Sequence, residues 1–288
     1  MPKVSTTTDY AARDASIAIN SYTTVLRRPR VPHDVFATYW RDVHGPLCSR
    51  IPGLAWYVQN HLDREQDAHL WPVIDGIAPF ADYELDGGVE IGFASKADQD
   101  VFNAASHILF ADEQNMFAAT VAYALPDGSR TLVDRFADPI PNGDDGFDRI
   151  HVHIGAAGSD AETFATFMTE FAETLAADAA VLKLRLHLPE RYDNAEPAPP
   201  APNVDHEVPA ERSLIAVLEL RLRKPADTPR VLRIRHVHRD TRRTAGAYRL
   251  CLGIRGQRRL YLCPRQAADH RRASRQPPGA ADRAARRQ

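Results

Sequence analysis

Residues 164–168, Phe-Ala-Thr-Phe-Met, repeat residues 36–40, Phe-Ala-Thr-Tyr-Trp, at an offset of 128 positions, and the segments around both repeat in the same order. Self-similarity on this scale means two copies of one supersecondary unit. In the first copy, residues 21–26 (SYTTVL) are β-rich, and Val35, Phe36, Tyr39, Trp40, Val43 and Leu47 then recur at helical spacing. Gly45-Pro46 is expected to kink or end that helix, because proline lacks a backbone donor and disfavours helical geometry in the residue before it. Ile51-Pro52-Gly53-Leu54 turns into a strand over 55–62, a polar insertion follows over 63–82, and residues 88–94 (GVEIGFA) alternate as a half-buried strand. Ser95 and Asp98 form a capping box that opens a helix to about residue 117, and a last strand covers 120–125. The order β-α-β-β-α-β is the ferredoxin-like split unit, and the fold class is α+β.

The second copy runs in parallel. Residues 149–154 alternate as a strand, Ser159-Asp160-Ala161-Glu162 reads as a capping box, and 181–188 matches the strand holding His61, with His187 in the equivalent place. Residues 214–222 match 88–93 through Glu219 and Glu90, after an extended linker with five prolines between Pro197 and Pro209. Where the first copy has its second helix and last strand, an arginine-rich tail begins. Three segments follow: a complete unit at 18–128, an incomplete second unit at 147–224, and a tail at 225–288.

The tail is a different kind of sequence. From Arg230 onward it holds 17 Arg, no Lys, no Glu and 3 Asp, a charge of +14, whereas residues 1–229 carry −16. The favoured reading is GC-rich coding DNA translated out of frame, ahead of a disordered extension or a basic arm. An acidic body argues against nucleic acid as a partner. A 44% hydrophobic composition supports a buried core, yet no apolar run approaches the roughly 18 residues of a membrane span. The first 20 residues, with Asp9, Arg13 and Asp14, do not read as a secretory signal, so a cytoplasmic protein is expected. Three scattered cysteines match neither a disulfide framework nor a zinc site.

Chemistry-bearing residues concentrate in the first copy. Trp40 and His44 share a helix face, with Phe36 extending the stripe. His44 is then an acid or base at a cavity mouth and Trp40 a stacking surface; the alternative is a core tryptophan and a histidine bonded to a loop. Tyr57, Gln59 and His61 alternate on one strand face and Val58 and Asn60 on the other, with neither face clearly the apolar one. The expected catalytic residues are His44, Tyr57 and His61, and the expected substrate-binding residues Phe36, Trp40 and Asn60. His107, Asp112 and Glu113 read as solvated helix charge. His151 and His153 point to one face, but no carboxylate or cysteine partner stands near them in sequence, and no metal site is expected. The sequence contains no phosphate loop or nucleophile elbow, so no cofactor is expected.

The residues Phe36-x3-Trp40-Arg41-Asp42-Val43-His44-Gly45-Pro46-Leu47, Pro52-Gly53-Leu54 and Tyr57-Val58-Gln59-Asn60-His61, with Asp112-Glu113 and Phe117, resemble the EthD family. The resemblance implies a dimeric α+β barrel, in which two ferredoxin-like sheets face each other, closed either by a homodimer or as a pseudo-dimer within one chain. It also implies a small apolar substrate, aromatic or ether, in oxidative catabolism or polyketide-like metabolism with an oxidoreductase association. A cofactor-independent lyase and a non-catalytic ligand-binding module are the alternatives.

Overall fold

The computed structural model describes residues 10–63, 79–135, 148–156, 158–197 and 201–223, together with the backbone of 248–261. The first unit comprises β1 (Ile19–Arg27), α2 (His33–Tyr39), a π turn (Trp40–His44), α3 (Gly45–Cys48), β2 (Trp56–Leu62), β3 (Gly87–Phe93), α4 (Lys96–Ala105), α5 (His107–Glu113) and β4 (Phe117–Leu125). A short helix, α1 (Tyr10–Ser16), precedes it. The second unit comprises β6 (Asp148–Ala156), α6 (Ala161–Ala176), β7 (Val181–His187), β8 (Ile215–Leu222) and β9 (Tyr248–Tyr261), and β5 (Arg130–Asp134) lies between the units.

Local chemistry sets the element ends. Ser95 caps α4 by accepting the Asp98 amide, as expected. The cap of α6 is Asp160, one residue beyond the expected Ser159, and it accepts the Thr163 amide at 2.9 Å. The helix expected to run unbroken to about residue 117 is two helices divided at Ser106. Gly45-Pro46 does not end the first helix. The chain instead widens ahead of the proline, Gly45 N–H reaching back five residues to Trp40 C=O, and the helix continues to Cys48.

The strands form one sheet in the order β4-β1-β3-β2-β9-β6-β8-β7-β5. Both units therefore show the fourth-first-third-second order of a ferredoxin-like sheet, joined edge to edge in one chain. The first part of β9 runs along β6 (Tyr248 opposite Ala156) and its second along β2 (Tyr261 opposite Val58). On the opposite seam β4 runs along β1 and β5 along β7. β4 and β5, the two ends of this row, are successive in the chain, and the inner faces of the two units meet as the halves of a barrel. β9 lies in the arginine-rich stretch where no element was expected. Tyr248, Leu250, Leu252 and Ile254 alternate there, a strand period obscured by the arginines around it. Residues 224–247, where a second helix of this unit would fall, and the rest of the tail lie outside the described residues, as does most of the 63–82 insertion.

Register corrects the matching of the copies by one residue. Val58 stands opposite Glu90 and Arg185 opposite Glu219, so Arg185 is the counterpart of Val58, and His187 that of Asn60 rather than His61. A one-residue slip changes the face. The proline-rich linker is also not free-standing. Ala201 and Val204 are buried against the first unit's core, and Asp205 C=O accepts the Thr120 amide along β4.

Outside the barrel, α6 buries Phe164, Met168, Ala172 and Leu175 on Ile150, Val152 and Ile154. The alternate residues of β6 turn inward. Inside, Tyr22 Oη lies 2.8 Å from His151 Nδ1 and 3.1 Å from His153 Nε2, and Tyr83 Oη lies 2.7 Å from His153 Nδ1. Burial pushes the pKa of His151 down to about 4 and that of His153 well below the ordinary imidazole value, so both serve as neutral hydrogen-bond partners. Arg185 is the central cation. Its Nη1 donates to Glu90 at 2.7 Å and Glu219 at 3.0 Å, and its Nη2 donates to Asp14 at 2.7 Å. Replacing Arg185 by Met leaves these carboxylates without their shared cation, and a loss of about 3–5 kcal/mol is expected in urea unfolding; a loss below about 1 kcal/mol would show the ion pairs to be dispensable.

Candidate active site

The π turn presents the first unit's key side chains to its sheet. Trp40 lies flat against the start of β3, where a Cβ on Gly87 would come within 2.3 Å of its ring, so glycine is required there. Gln59 Nε2 donates to Trp40 C=O at 2.8 Å, a second anchor on the carbonyl that accepts the π-turn bond. Turned one step further along the same helix, His44 places Nδ1 2.9 Å from Asp112 Oδ2. Tyr39 donates to the other oxygen at 2.5 Å, and Asn115 Nδ2 adds a bond of 3.3 Å.

Asp112 is held below the usual carboxylate range, chiefly by its hydrogen bond with His44 and then by Tyr39, against the opposing effect of burial. An ionised Asp112 accepts the Nδ1 proton of His44. The Nε2 lone pair is left as the basic position, as in an acid–histidine pair.

Beside the pair lies a cavity of about 680 Å³ between the outer face of β1, β3 and β4 on one side and the π turn and helices α3 to α5 on the other. Its walls are mainly apolar: Val25, Val89, Ile91, Phe93, Phe102 and Phe117. The size suits a small organic ligand. His44, Trp40 and Tyr57 all line it, as do Cys48 and Glu113. Glu113 is only half-buried, but desolvation against the cavity wall, reinforced by the charge of Asp112, pushes its carboxyl up to about 8. Burial also pushes the Cys48 thiol up, which leaves it a poor nucleophile. The Tyr57 phenol is raised by burial too, while its oxygen accepts from Gln59 Nε2 at 2.8 Å.

Three of the six expected site residues therefore meet at one cavity. The other three do not line it. Phe36 is core, its ring 5.6 Å from Trp40 and 5.8 Å from Phe117. His61 sits behind Trp40 at 4.5 Å between ring centroids, with Nε2 3.1 Å from Gln59 Oε1. Asn60 lies on the opposite strand face, toward the barrel interior. Every residue of β2 is buried, because helices cover one face and the second unit the other, and alternation alone had no means of choosing between them. The solvated-charge reading does not hold for Asp112 and Glu113: Asp112 bonds His44, and Glu113 lines the cavity. His107 is exposed, as that reading expected.

No protein-family model matches the chain, and no curated protein matches it. Among solved structures it is similar to an anthrone oxidase-like protein at a TM-score of 0.50 and 9% identity, over 87% of this chain and 95% of that one. The fold is an α+β barrel of ferredoxin-like units. A monooxygenase candidate from Fusobacterium nucleatum aligns at a TM-score of 0.49 and 8% identity, covering 84% and 92% of the two chains. A chlorite dismutase from Candidatus Nitrospira defluvii aligns at 0.40 and 11%, covering 83% and 91%. Identities this low carry the fold and no chemistry. No helix among the described residues is long and apolar enough to cross a membrane.

The raised Glu113 gives a measurable pH dependence. Its folded pKa of about 8 lies above its unfolded value of about 4.3, so its contribution to stability is complete below pH ~4.3 and is lost as pH rises through about 8. Glu113→Gln is expected to gain stability relative to the native chain between pH 5 and pH 8, read by urea unfolding at both. A constant difference across that range would show that Glu113 ionises normally.

Proposed function

We propose that this chain is an EthD-type enzyme that binds a small apolar compound, aromatic or ether, in the cavity of its first unit and transfers protons there. The observation that carries this reading is an oriented acid–histidine pair beside the Glu113 carboxyl on the wall of one apolar cavity. His44, aligned by Asp112, accepts a proton through Nε2, and Glu113 supplies one. Tyr57 offers its hydroxyl to a substrate oxygen, and Trp40 provides a flat stacking surface. Pairs of titratable groups pushed apart by their surroundings divide acid from base roles in this way.

The EthD-like residues support a place in oxidative catabolism or polyketide-like metabolism, with the protein working in the cytoplasm and touching neither nucleic acid nor membrane. A cofactor-independent dehydratase or decarboxylase is the second reading, favoured by the pairing of acid and base at one cavity.

Anthrone is a fitting first test compound, prompted by the anthrone oxidase-like neighbour. Turnover by the purified chain is expected, with kcat falling by at least ~100-fold in His44→Gln while binding changes little. Activity should also decline above about pH 8 as Glu113 ionises. Oxygen uptake matched to product would favour oxidation; anthrone has no carboxyl or leaving hydroxyl, so inert anthrone with water or carbon dioxide released from a hydroxylated or carboxylated aromatic would favour the lyase. Saturable binding of anthrone and related aromatics with no product from any of them would make the chain a binding module and overturn the enzymatic reading.

A further inference from the structure

The barrel interior holds a second cluster, separate from the His44 cavity and on the other face of the sheet. We propose that Glu90, His187 and Glu219 bind one divalent first-row metal ion there. One donor atom from each lies within 4.8 Å of the other two, and all three residues are buried. The donors come from β3, β7 and β8, so rigid strands of both units hold them.

His187 is the observation that distinguishes this cluster from a plain ion-pair network. Its side chain is fully buried, yet Nε2 has no hydrogen-bond partner among the described residues. Nε2 lies 3.8 Å from Glu219 Oε2. That is too long for a hydrogen bond, and it suits an ion about 2.0–2.2 Å from each atom with an open angle between them.

The surroundings orient the ligands. His187 Nδ1 lies 2.8 Å from Ser129 Oγ, which pins the ring and leaves Nε2 for the ion. Asn20 Nδ2 donates both to Ser129 Oγ at 2.9 Å and to Glu90 Oε2 at 3.2 Å, so one amide ties two of the ligands into a single frame. Partners of this kind set ligand geometry in metal sites.

Asp14, Glu90 and Glu219 all bind the guanidinium of Arg185. Arg185 engages Oε1 of Glu90 and Oε2 of Glu219, and each carboxylate oxygen has two acceptor directions, so guanidinium and metal can share these ligands. One imidazole and two carboxylates suit zinc, manganese or iron(II) better than a soft ion.

Zinc is the probe. Chelator-treated full-length protein, dialysed against ZnCl2 and measured by elemental analysis, is expected to retain about one ion per chain and to melt at a higher temperature than the chelated form. His187→Gln and Glu219→Gln should weaken zinc binding by at least ~100-fold, and Ser129→Ala by about 10-fold through loss of ring orientation. His44→Gln should bind zinc like the native chain, which separates this site from the proposed function. Retention below a tenth of an equivalent by folded native protein overturns the proposal, as does unchanged affinity in folded His187→Gln. Should both ligand variants fail to fold, anomalous scattering from native crystals soaked in ZnCl2 decides: a peak between Glu90, His187 and Glu219 supports the site, and zinc found only elsewhere overturns it.

Discussion

The guanidinium of Arg185 is the interaction on which the rest of the architecture depends. It is buried in the barrel and reaches Glu90 in the first unit, Glu219 in the second and Asp14 in the leading helix. Three separate stretches of chain meet at one cation. Burying that many charges is costly, and the geometry offsets the cost through short, shared hydrogen bonds. The same contacts tie α1 to both units. A polar interior of this kind specifies one arrangement of two similar units, where an apolar interior would tolerate several.

Around that interior the two units have diverged in what their helices cover. In the first, Trp40, His44 and Tyr57 leave a cavity between helices and sheet. At the corresponding positions the second unit carries Met168, Ala172 and Leu184, all buried in one packed cluster under α6. The repeat preserves the backbone unit and changes the side chains under the helix. One copy keeps space and titratable groups there, and in the other these three positions are apolar and buried. The π turn contributes to the difference, since Pro46 forces a widened helical turn in the first unit that the straight α6 has no need to make.

Much of the fold was legible because the repeat is written in period and punctuation. The helical spacing of Val35 to Leu47, the Ser95 cap and the alternation of residues 88–94 each correspond to an observed element. Weaker signals failed where a long-range partner decided the outcome. β5 is short and depends on β7 for its pairing, α1 is held by its contacts with the barrel, and the period of β9 is obscured by arginine. For the site, the sequence placed Trp40 and His44 on one helix face and Tyr57 on a nearby strand. It had no means of showing that Asp112, 68 residues beyond His44, would supply the carboxylate.

By itself, then, the sequence determined the order of the main helices and strands of the first unit, the α+β class and the half of the chain in which reactive residue types gather. These are local properties, set by spacing, caps and breakers along the chain. Only the tertiary structure decided which face of β2 meets a cavity, that Glu113 lies on the wall of that cavity, and that Glu90, His187 and Glu219 converge inside the barrel. Each of those depends on what packs against a side chain from a distant part of the sequence, and with both faces of the strand covered, periodicity carries no record of it.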